Sequence, residues 1–388
     1  MKSNYDPLGK HIRLVDYRNS EEVTSTVLGI SIDKEFMPSV ANVIGTDLSR
    51  YKLISKGLFA CNPMHVGRDE RLPIALYEKD SPAIVSPAYF MFEIIDRDVL
   101  NEEYLMMWFR RPEFDRECWF MTDGSVRGGI TWDDLCRIKL PVPSYARQCE
   151  IVESYRAITD RIALKRAEND NLEATAMSLY KSWFIDYEPF DLDDEGLPAG
   201  WYKVKLNDKL STSTQSINPQ KMDCDFVWHY SIPAYDNEKL PSKDIPSSIL
   251  SNKYIVPQNA ILVSKLNPDT KRIWRSVPCF DNAICSTEFI VFSTKESTHR
   301  AFYYLLFNTG SFIDFLVSNA TGSTNSRMRV KPASSLDFEF ICPPNEVIDS
   351  FCRKVEPMLQ KIEENHLEIR KLKELIPIAV AKMMSSSR

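Results

Sequence analysis

Length, composition and charge exclude several classes of protein. The chain has 388 residues, 44% hydrophobic and 26% charged, an ordinary globular composition that excludes a disordered tail. The net charge of −6 does not exclude a polyanionic partner, because residues 144–200 alone carry twelve acidic and six basic side chains. The length predicts two or more domains, since one hydrophobic core rarely supports so long a chain.

Cysteine and histidine usage predicts neither a disulfide framework nor a metal site. The nine cysteines include no C-x-x-C pair, and the five histidines are scattered. This usage fits a reducing, cytoplasmic location. The first ten residues lack an apolar signal-peptide core, and no apolar run approaches the roughly 20 residues of a membrane helix. We therefore expect a soluble protein that is not exported.

The elements predicted along the chain occur twice in the same order. A strand-like run at 83–94, a helix at 101–117 and a long helical pattern recur as a run at 283–293, a helix at 298–317 and a second long pattern. Phe109 corresponds to Phe307, an offset of 198, and Pro143 to Pro344, an offset of 201. We predict an α+β fold with two similar domains. The predicted division is a first domain at 1–143, a central helical spacer at 144–190, an acidic linker at 191–196, a second domain at 197–343 and a C-terminal helical spacer at 344–384.

Both long helices carry the spacing of a coiled-coil seam. Apolar or semi-apolar residues recur in steps of four and three from Ile151 to Trp183, interrupted only by Lys165 and Asn169. The second helix contains Pro357 and Pro377, where we expect bends or breaks because an interior proline removes a hydrogen bond. Its sevenfold apolar series is Ile348, Val355, Ile362, Ile369, Ile376 and Met383, and the adjoining rung is Cys352, Leu359, His366, Lys373 and Val380.

The duplication favours a pairing of the two helices. A helix of about 40 residues spans roughly 60 Å. If the second helix is antiparallel to the first, it returns to where the chain began, and the two domains are related by an approximate two-fold axis. The alternative is that each helix packs only on its own domain. The paired arrangement would suit two DNA-recognition domains, because the strands of B-DNA are related by the same kind of axis.

No catalytic constellation can be assembled from the sequence. The chain has no phosphate loop with G-K-S or G-K-T and no G-x-G-x-x-G motif. The segment CNPMH (61–65) begins like an amino-methyltransferase tetrapeptide, but it lacks the second proline and the aromatic residue, so we interpret it as a turn. Adjacent carboxylates such as Asp133 and Asp134 are interpreted as surface charge, and His229 and His299 as structural histidines.

Four polar stretches are typical of nucleic-acid contacts. They lie at equivalent places in the two halves, at 62–71 and 123–129 in the first and at 265–275 and 322–331 in the second. Their arginine, lysine, asparagine and serine side chains are types that contact phosphates and base edges. The alternative is that they are ordinary solvated loops. The predicted contacts are His65, Arg68, Arg71, Ser125, Arg127, Lys265, Lys271, Arg272, Arg275, Asn325, Arg327, Arg329 and Lys331.

Several segments together resemble one family, the specificity subunits of Type I restriction-modification enzymes. The resemblance covers nearly the whole chain in the correct order, and its most specific parts are the KSWF segment and the LPAGW start of the second half. The similar segments are GLFACNPMHVG (57–67), LPVPSYARQCEIVESYRAITDRI (140–162), NLEATAMSLYKSWFIDYEPF (171–190), LPAGWYKVKLND (197–208) and VEPMLQKIEENHLEIRKLKEL (355–375). The C-terminus, KELIPIAVAKMMSSSR, departs from the usual proline-leucine-serine-glycine ending of the family.

The resemblance implies a DNA-recognition subunit without catalytic activity of its own. Residues 1–143 and 197–343 would be target-recognition domains, each recognising one half of a split, asymmetric sequence in double-stranded DNA. Two methyltransferase subunits and motor-nuclease restriction subunits would be the partners. They would carry S-adenosylmethionine, ATP and magnesium, leaving this chain with no cofactor.

Two further expectations follow. Trp183, Phe184, Tyr187 and Phe190 form a dense aromatic group, for which we favour burial against the second domain over a docking surface for a methyltransferase subunit. The rival functions are a protein–protein scaffold without DNA specificity and a degenerate DNA methyltransferase or nuclease.

Overall fold

The computed structural model describes residues 5–39, 45–64, 66–122, 128–277, 280–294, 297–322 and 328–385. The chain divides into two compact units. Unit 1 comprises Met1–Arg161 and Leu372–Arg388, and unit 2 comprises Ile162–Lys371. Both boundaries fall within long helices. The five-segment division expected from the sequence stays a prediction.

Unit 1 contains two four-stranded sheets and one two-stranded pair. The strand orders are β2-β9-β6-β7, β4-β3-β8-β5 and β1-β10, and only β3 and β8 pair in parallel among these strands of the described residues. The strands are β1 (Tyr5–Pro7), β2 (Ile12–Leu14), β3 (Val27–Ile30), β4 (Phe36–Pro38), β5 (Lys52–Ile54), β6 (Phe59–Cys61), β7 (Ile74–Leu76), β8 (Ala83–Val85), β9 (Phe90–Ile94) and β10 (Lys139–Pro141). The helices are α1 (Val66–Asp69), α2 (Glu102–Phe109), α3 (Pro112–Phe120), α4 (Trp132–Arg137) and the first part of α5 (Tyr145–Phe184).

Unit 2 repeats these sheets, with one additional strand, β13, at the edge of the second sheet. Its orders are β12-β20-β17-β18, β13-β16-β19-β14-β15 and β11-β23, with β14 and β19 parallel and an additional pair, β21-β22. The strands are β11 (Tyr202–Lys205), β12 (Leu210–Ser213), β13 (Ser216–Ile217), β14 (Val227–Tyr230), β15 (Ser242–Asp244), β16 (Lys253–Ile255), β17 (Ala260–Ser264), β18 (Ile273–Arg275), β19 (Ala283–Cys285), β20 (Phe289–Thr294), β21 (Ala320–Thr321), β22 (Arg329–Val330) and β23 (Glu339–Cys342). The helices are α6 (Ile232–Glu238), α7 (Arg300–Phe307), α8 (Gly310–Ser318), α9 (Pro332–Ser335) and α10 (Asn345–Ser385), whose last part belongs to unit 1.

The predicted α+β class and its duplication are therefore confirmed. The parallel pair occupies equivalent places in the two units, β3 with β8 in unit 1 and β14 with β19 in unit 2. Buried β-branched and aromatic side chains account for this scaffold. All residues of β17 and β19 are buried, as are all of β6, β7 and β8.

Each short helix expected from the sequence is in fact two helices. The segment 101–117 divides into α2 and α3 because Pro112 disfavours a helical conformation at Arg111, which instead precedes α3 with extended backbone. The segment 298–317 divides into α7 and α8 at Thr309, whose hydroxyl accepts a hydrogen bond from the Phe312 amide and caps α8. Each strand-like run likewise contains two strands, which belong to different sheets.

The predicted seam is confirmed within unit 2, where α5 and α10 pack antiparallel. Phe351 contacts Phe184, with ring centroids 4.7 Å apart, and Lys165 lies 3.6 Å from the carboxylate of Glu368. As the residue number rises on one helix it falls on the other, which defines the antiparallel direction. Lys165, one of the two interruptions of the seam, thus forms an ion pair at the edge of the interface.

Asn169, the other interruption, meets a polar partner across the same seam. The amide of Asn365 donates to Asn169 Oδ1 at 2.8 Å and to Glu168 Oε2 at 3.0 Å, and both asparagines are buried. Buried amides at a seam disfavour other registers, since any shift would leave them without a hydrogen bond.

Replacing one of these asparagines should cost more than replacing both. In Asn365→Leu the Asn169 amide stays buried without its partner, and we expect the free energy of unfolding to fall by about 1–3 kcal/mol. The double variant Asn169→Leu/Asn365→Leu removes both polar groups and should recover most of that loss. Denaturant unfolding measures both, and a double variant less stable than the single one would contradict this role.

Of the bends or breaks predicted at Pro357 and Pro377, a break is wrong, because α10 is continuous through both residues. Both prolines are exposed, so the carbonyl groups they leave without an amide partner can bond to water. In unit 1, Val380 packs against a core that includes Ile151 and Val152, although the C-terminal sequence departs from the family ending. The Met383 side chain lies outside the described part of the chain. No helix among the described residues is long and apolar enough to cross a membrane.

Candidate nucleic-acid interface

The two polar stretches of unit 1 lie side by side. The Gly67 amide donates to the Gly128 carbonyl at 2.9 Å, and the Ile130 amide donates to the Pro63 carbonyl at 3.1 Å. A side chain at Gly129 would place its Cβ 2.9 Å from the Pro63 carbonyl, so the two backbones approach as closely as glycine allows. The segment between β6 and α1 and the segment before α4 therefore form one surface, which we call loop pair 1 (residues 62–71 and 128–131). His65, Ser125 and Arg127 lie outside the described residues.

Unit 2 contains the same arrangement. The Asn267 amide donates to the Met328 carbonyl at 2.8 Å, and the Val330 amide donates to the Lys265 carbonyl at 3.0 Å. Leu266 and Arg329 form an isolated β-bridge between the same segments. We call this surface loop pair 2 (residues 265–272 and 328–331). Asn325 and Arg327 fall outside the residues that the structure describes.

The two loop pairs have corresponding backbone hydrogen bonds. Gly67, Gly128 and Ile130 have the counterparts Asn267, Met328 and Val330, each 200 residues later, while the remaining acceptors, Pro63 and Lys265, are 202 residues apart. Backbone geometry thus repeats while side chains differ, so the two surfaces can contact different ligand groups from one scaffold.

The arginines of loop pair 1 are held by carboxylates but exposed. Arg68 donates to Asp69 from Nε at 2.7 Å and from Nη2 at 3.0 Å, which raises the pKa of the guanidinium. Arg71 lies 3.2 Å from Asp33. More than half of each arginine side chain remains accessible, so each retains donors for a ligand.

The arginines of loop pair 2 are also paired with carboxylates, but they differ in exposure. Arg329 donates to Glu288 from Nε at 3.0 Å and from Nη2 at 3.1 Å, and its side chain is 46% exposed. Arg272 forms a similar pair with Asp236 at 2.6 and 2.9 Å, but only 15% of its side chain is exposed. Lys271 and Lys331 are exposed, and Lys265 is half-buried. Each unit therefore presents a surface of cations and paired carboxylates.

His229 and the buried cysteines Cys285 and Cys352 occupy structural positions. His229 Nδ1 lies 2.9 Å from Asp244, and the Ser242 hydroxyl donates to the same carboxylate, whereas a catalytic triad requires the serine to bond to the histidine. Burial raises the pKa of the thiols of Cys285 (to about 12) and Cys352 (to about 11), which leaves them protonated and poorly nucleophilic. Among the described residues, no group of three or more histidine, cysteine or acidic side chains could hold a metal ion.

The chain is similar to known proteins over most of its length. No protein-family model matches the chain. The specificity subunit of the Type I restriction enzyme HindI from Haemophilus influenzae is 20% identical over 450 aligned positions, covering 96% of each chain. The MjaIX specificity subunit from Methanocaldococcus jannaschii is 23% identical over 317 positions, covering 75% of this chain and 70% of that protein. A crystal structure of a Type I S subunit from M. genitalium matches with a TM-score of 0.58 at 12% identity, covering 98% of this chain and 96% of that one, which shows a shared fold.

The chain is similar over most of its length to Type I restriction-enzyme specificity subunits. Its duplicated α+β sheets and paired long helices agree with the fold of the S subunit.

One residue predicted as a DNA contact is buried instead. Arg275 is 6% exposed, and its guanidinium lies between the carboxylates of Glu356 and Glu363, 3.2 Å from the latter. Arg275 follows Arg272 by three residues in the sequence, but it is the last residue of β18, a strand whose side chains are all buried. Its donors face these two carboxylates inside the protein, so the predicted DNA contact at Arg275 is wrong.

The aromatic group at the end of α5 packs on unit 2. Phe184 is buried against Phe302 and Phe351, and Trp183, Tyr187 and Phe190 are partly buried against the same core. This placement agrees with the burial that the sequence favoured. A docking role for the accessible parts of these side chains stays a prediction.

Sequence reasoning missed the carboxylates that hold the arginines. Glu288 is 41 residues from Arg329, and Asp236 is 36 residues from Arg272. No local spacing connects such residues. One difference between the repeats could have indicated Glu288. Both halves contain a turn of the form S-x-x-aromatic, and Glu288 stands where the first half has Ala88.

Proposed function

We propose that this chain is the DNA sequence-recognition subunit of a Type I restriction-modification complex. Unit 1 and unit 2 recognise the two unlike halves of a bipartite, asymmetric target through loop pair 1 and loop pair 2. The repeated loop pairs carry the proposal, because corresponding backbone hydrogen bonds support different polar side chains in the two units. A protein that recognises two dissimilar half-sites requires a repeated backbone with different side chains.

Pairing of the arginines with carboxylates supports base recognition. An isolated cation attracts every phosphate, so it contributes mainly sequence-independent affinity. A guanidinium paired with a carboxylate has little net charge, yet its remaining N–H groups still donate to the acceptors of a base edge. Arg68, Arg71, Arg272 and Arg329 are paired in this way, whereas Lys271 and Lys331 suit phosphates. His65, Ser125, Arg127, Lys265, Asn325 and Arg327 remain proposed contacts.

Similarity to Type I specificity subunits supports a proposal for the partners. We propose that the chain binds two methyltransferase subunits and, where present, motor-nuclease subunits. S-adenosylmethionine, ATP and magnesium would be bound by those partners, and this chain would be a non-catalytic subunit. The aromatic group at 183–190 is the proposed part of the methyltransferase-docking surface.

Binding selection from a random duplex pool tests recognition. We expect the complex of this chain with its methyltransferase subunits to enrich one split sequence and to bind it about 10³–10⁷ times more tightly than unrelated duplexes at physiological salt. A Lys203→Ala variant, altered on an exposed strand outside both loop pairs, should enrich the same sequence.

Two outcomes would contradict the proposal. Equal affinity for every duplex would indicate a scaffold without DNA specificity. Methylation or cleavage of DNA by the purified chain alone would indicate a degenerate methyltransferase or nuclease.

A further inference from the structure

Arg329 is fixed in place by both its backbone and its side chain. The backbone forms a β-bridge with Leu266, and the guanidinium donates two hydrogen bonds to Glu288. Glu288 is itself fixed, since its amide donates to the Ser286 hydroxyl at 3.2 Å and its carbonyl accepts from the Lys265 amide at 2.9 Å. A side chain held in this way loses little conformational entropy when it binds a ligand.

Glu288 occupies one edge of the guanidinium, and no hydrogen bond from the other edge to a residue in the described part of the chain is present. Glu288 accepts from Nε and from one hydrogen of Nη2. The guanidinium has five N–H donors in a fixed plane, so one hydrogen of Nη1 and the second hydrogen of Nη2 remain side by side at the far end. Two parallel donors match the O6 and N7 acceptors of guanine in the major groove.

A phosphate would also accept two such hydrogen bonds, but charge disfavours it. The carboxylate of Glu288 cancels most of the positive charge of Arg329 and would repel a phosphate brought to the same guanidinium. A guanine edge carries no net charge, so it does not suffer this repulsion. The pair therefore favours a base over the backbone of DNA.

Among the described residues, unit 1 has no ion pair at the positions equivalent to Arg329 and Glu288. The turns Ser86–Tyr89 and Ser286–Phe289 have the same backbone hydrogen bond, at 3.1 and 3.0 Å, and place Ala88 where Glu288 lies. The 200-residue offset between the loop pairs places Gly129 where Arg329 lies. The backbone does not require either charged residue, because unit 1 forms the corresponding turn and loop hydrogen bonds with alanine and glycine at these positions.

We propose that Glu288 is a positioning residue that presents the free edge of Arg329 to a guanine in the half-site recognised by unit 2, an inference that rests on the function proposed above. Arg272 and Asp236 share the bidentate geometry but lack the exposure, so Arg329 is the specificity determinant.

The experiment uses the complex with methyltransferase subunits and the duplex obtained from the binding selection. Each guanine of the half-site assigned to unit 2 is replaced in turn with 7-deazaguanine, which lacks the N7 acceptor. We expect one replacement to weaken binding of the unaltered complex by about two- to 13-fold, the effect of losing one of the two hydrogen bonds of a bidentate contact. The same replacement should have little effect on Arg329→Ala or on Arg329→Lys, which keeps the charge but loses the planar pair of donors.

Glu288→Gln separates positioning from structural support. It should reduce discrimination at that one base while leaving affinity for unrelated duplexes unchanged or higher, because Arg329 then keeps its full charge. The control is Asp80→Asn, which neutralises a carboxylate bound to Lys56 on the surface of unit 1 and should leave discrimination unchanged. Thermal unfolding checks that each variant folds, and Arg329→Lys tests the same base if Glu288→Gln does not fold.

Two results would overturn the inference. One is a uniform loss of affinity across all sequences in Glu288→Gln and Arg329→Lys, which marks a structural ion pair or a phosphate contact. The other is no effect of 7-deazaguanine at any position of that half-site. Failure of the proposed function would look different, since the unaltered complex would then select no split sequence at all.

Discussion

Replacing Arg275 with methionine is expected to lower the free energy of unfolding by about 3–5 kcal/mol. Arg275 and Arg300, both buried, share the carboxylates of Glu356 and Glu363. Burial is the main cause that lowers the pKa of Arg300 to about 10 and raises the pKa of Glu363. Two cations and two anions balance in this network, so removing one cation leaves an uncompensated charge in a poorly solvated site.

Two further variants separate this effect from lost packing. Arg275→Met/Glu363→Leu removes one charge of each sign and should be less destabilising than Arg275→Met alone, because charge balance is restored. Lys203→Ala breaks an exposed ion pair with Glu339 and should change stability little, because solvent screens such a pair. Denaturant unfolding of the full chain measures all three. If Arg275→Met proved as mild as Lys203→Ala, the network would have no structural role.

Acidification is expected to destabilise the chain through His366. This residue of α10 lines a cavity of about 50 Å³ in unit 2, together with Glu173, Lys239, Tyr304 and Glu363. Burial, followed by the charge of Lys239, lowers the pKa of His366 from 6.5 to about 4. The folded chain binds this proton less tightly than the unfolded chain. The contribution is therefore complete above about pH 6.5 and is lost as the pH falls toward 4, a change of about 3 kcal/mol.

The matched variant is His366→Gln, which keeps a neutral polar group at the site. Its free energy of unfolding should decrease less than that of the unaltered chain between pH 7.5 and pH 4.5, and the difference between the two slopes isolates the histidine. Equal slopes would show that His366 titrates alike in the folded and unfolded chains.

Regular patterns allowed much of the fold to be predicted. The duplicated order of strands and helices predicted two similar α+β units, and the steps of three and four predicted the seam that Phe184, Lys165 and Asn169 form with α10. The breaks before Pro112 and Gly310 were not predicted, because helix periodicity persists across them. The continuity of α10 through Pro357 depends on solvent exposure, which the sequence does not specify directly.

The candidate site was predicted as loops but not as contacts. The polar stretches come together through backbone hydrogen bonds such as Asn267 to Met328, which no side-chain pattern encodes. The same limit applies to individual arginines. Arg272 and Arg275 are three residues apart, yet only the first belongs to loop pair 2, because Arg275 ends a buried strand. Exposure and ion pairing depend on tertiary neighbours, so only the structure distinguishes them.

Mapping of methylated adenines across a genome tests most directly whether this chain selects a bipartite DNA target. The chain is co-expressed with its methyltransferase subunits, and methylation is compared with cells that lack the chain. We expect one split, asymmetric motif that disappears without the chain, and relaxation of only one half of that motif when Arg329 is replaced. A motif that persists in the absence of the chain, or one that has no gap, would contradict recognition by two units.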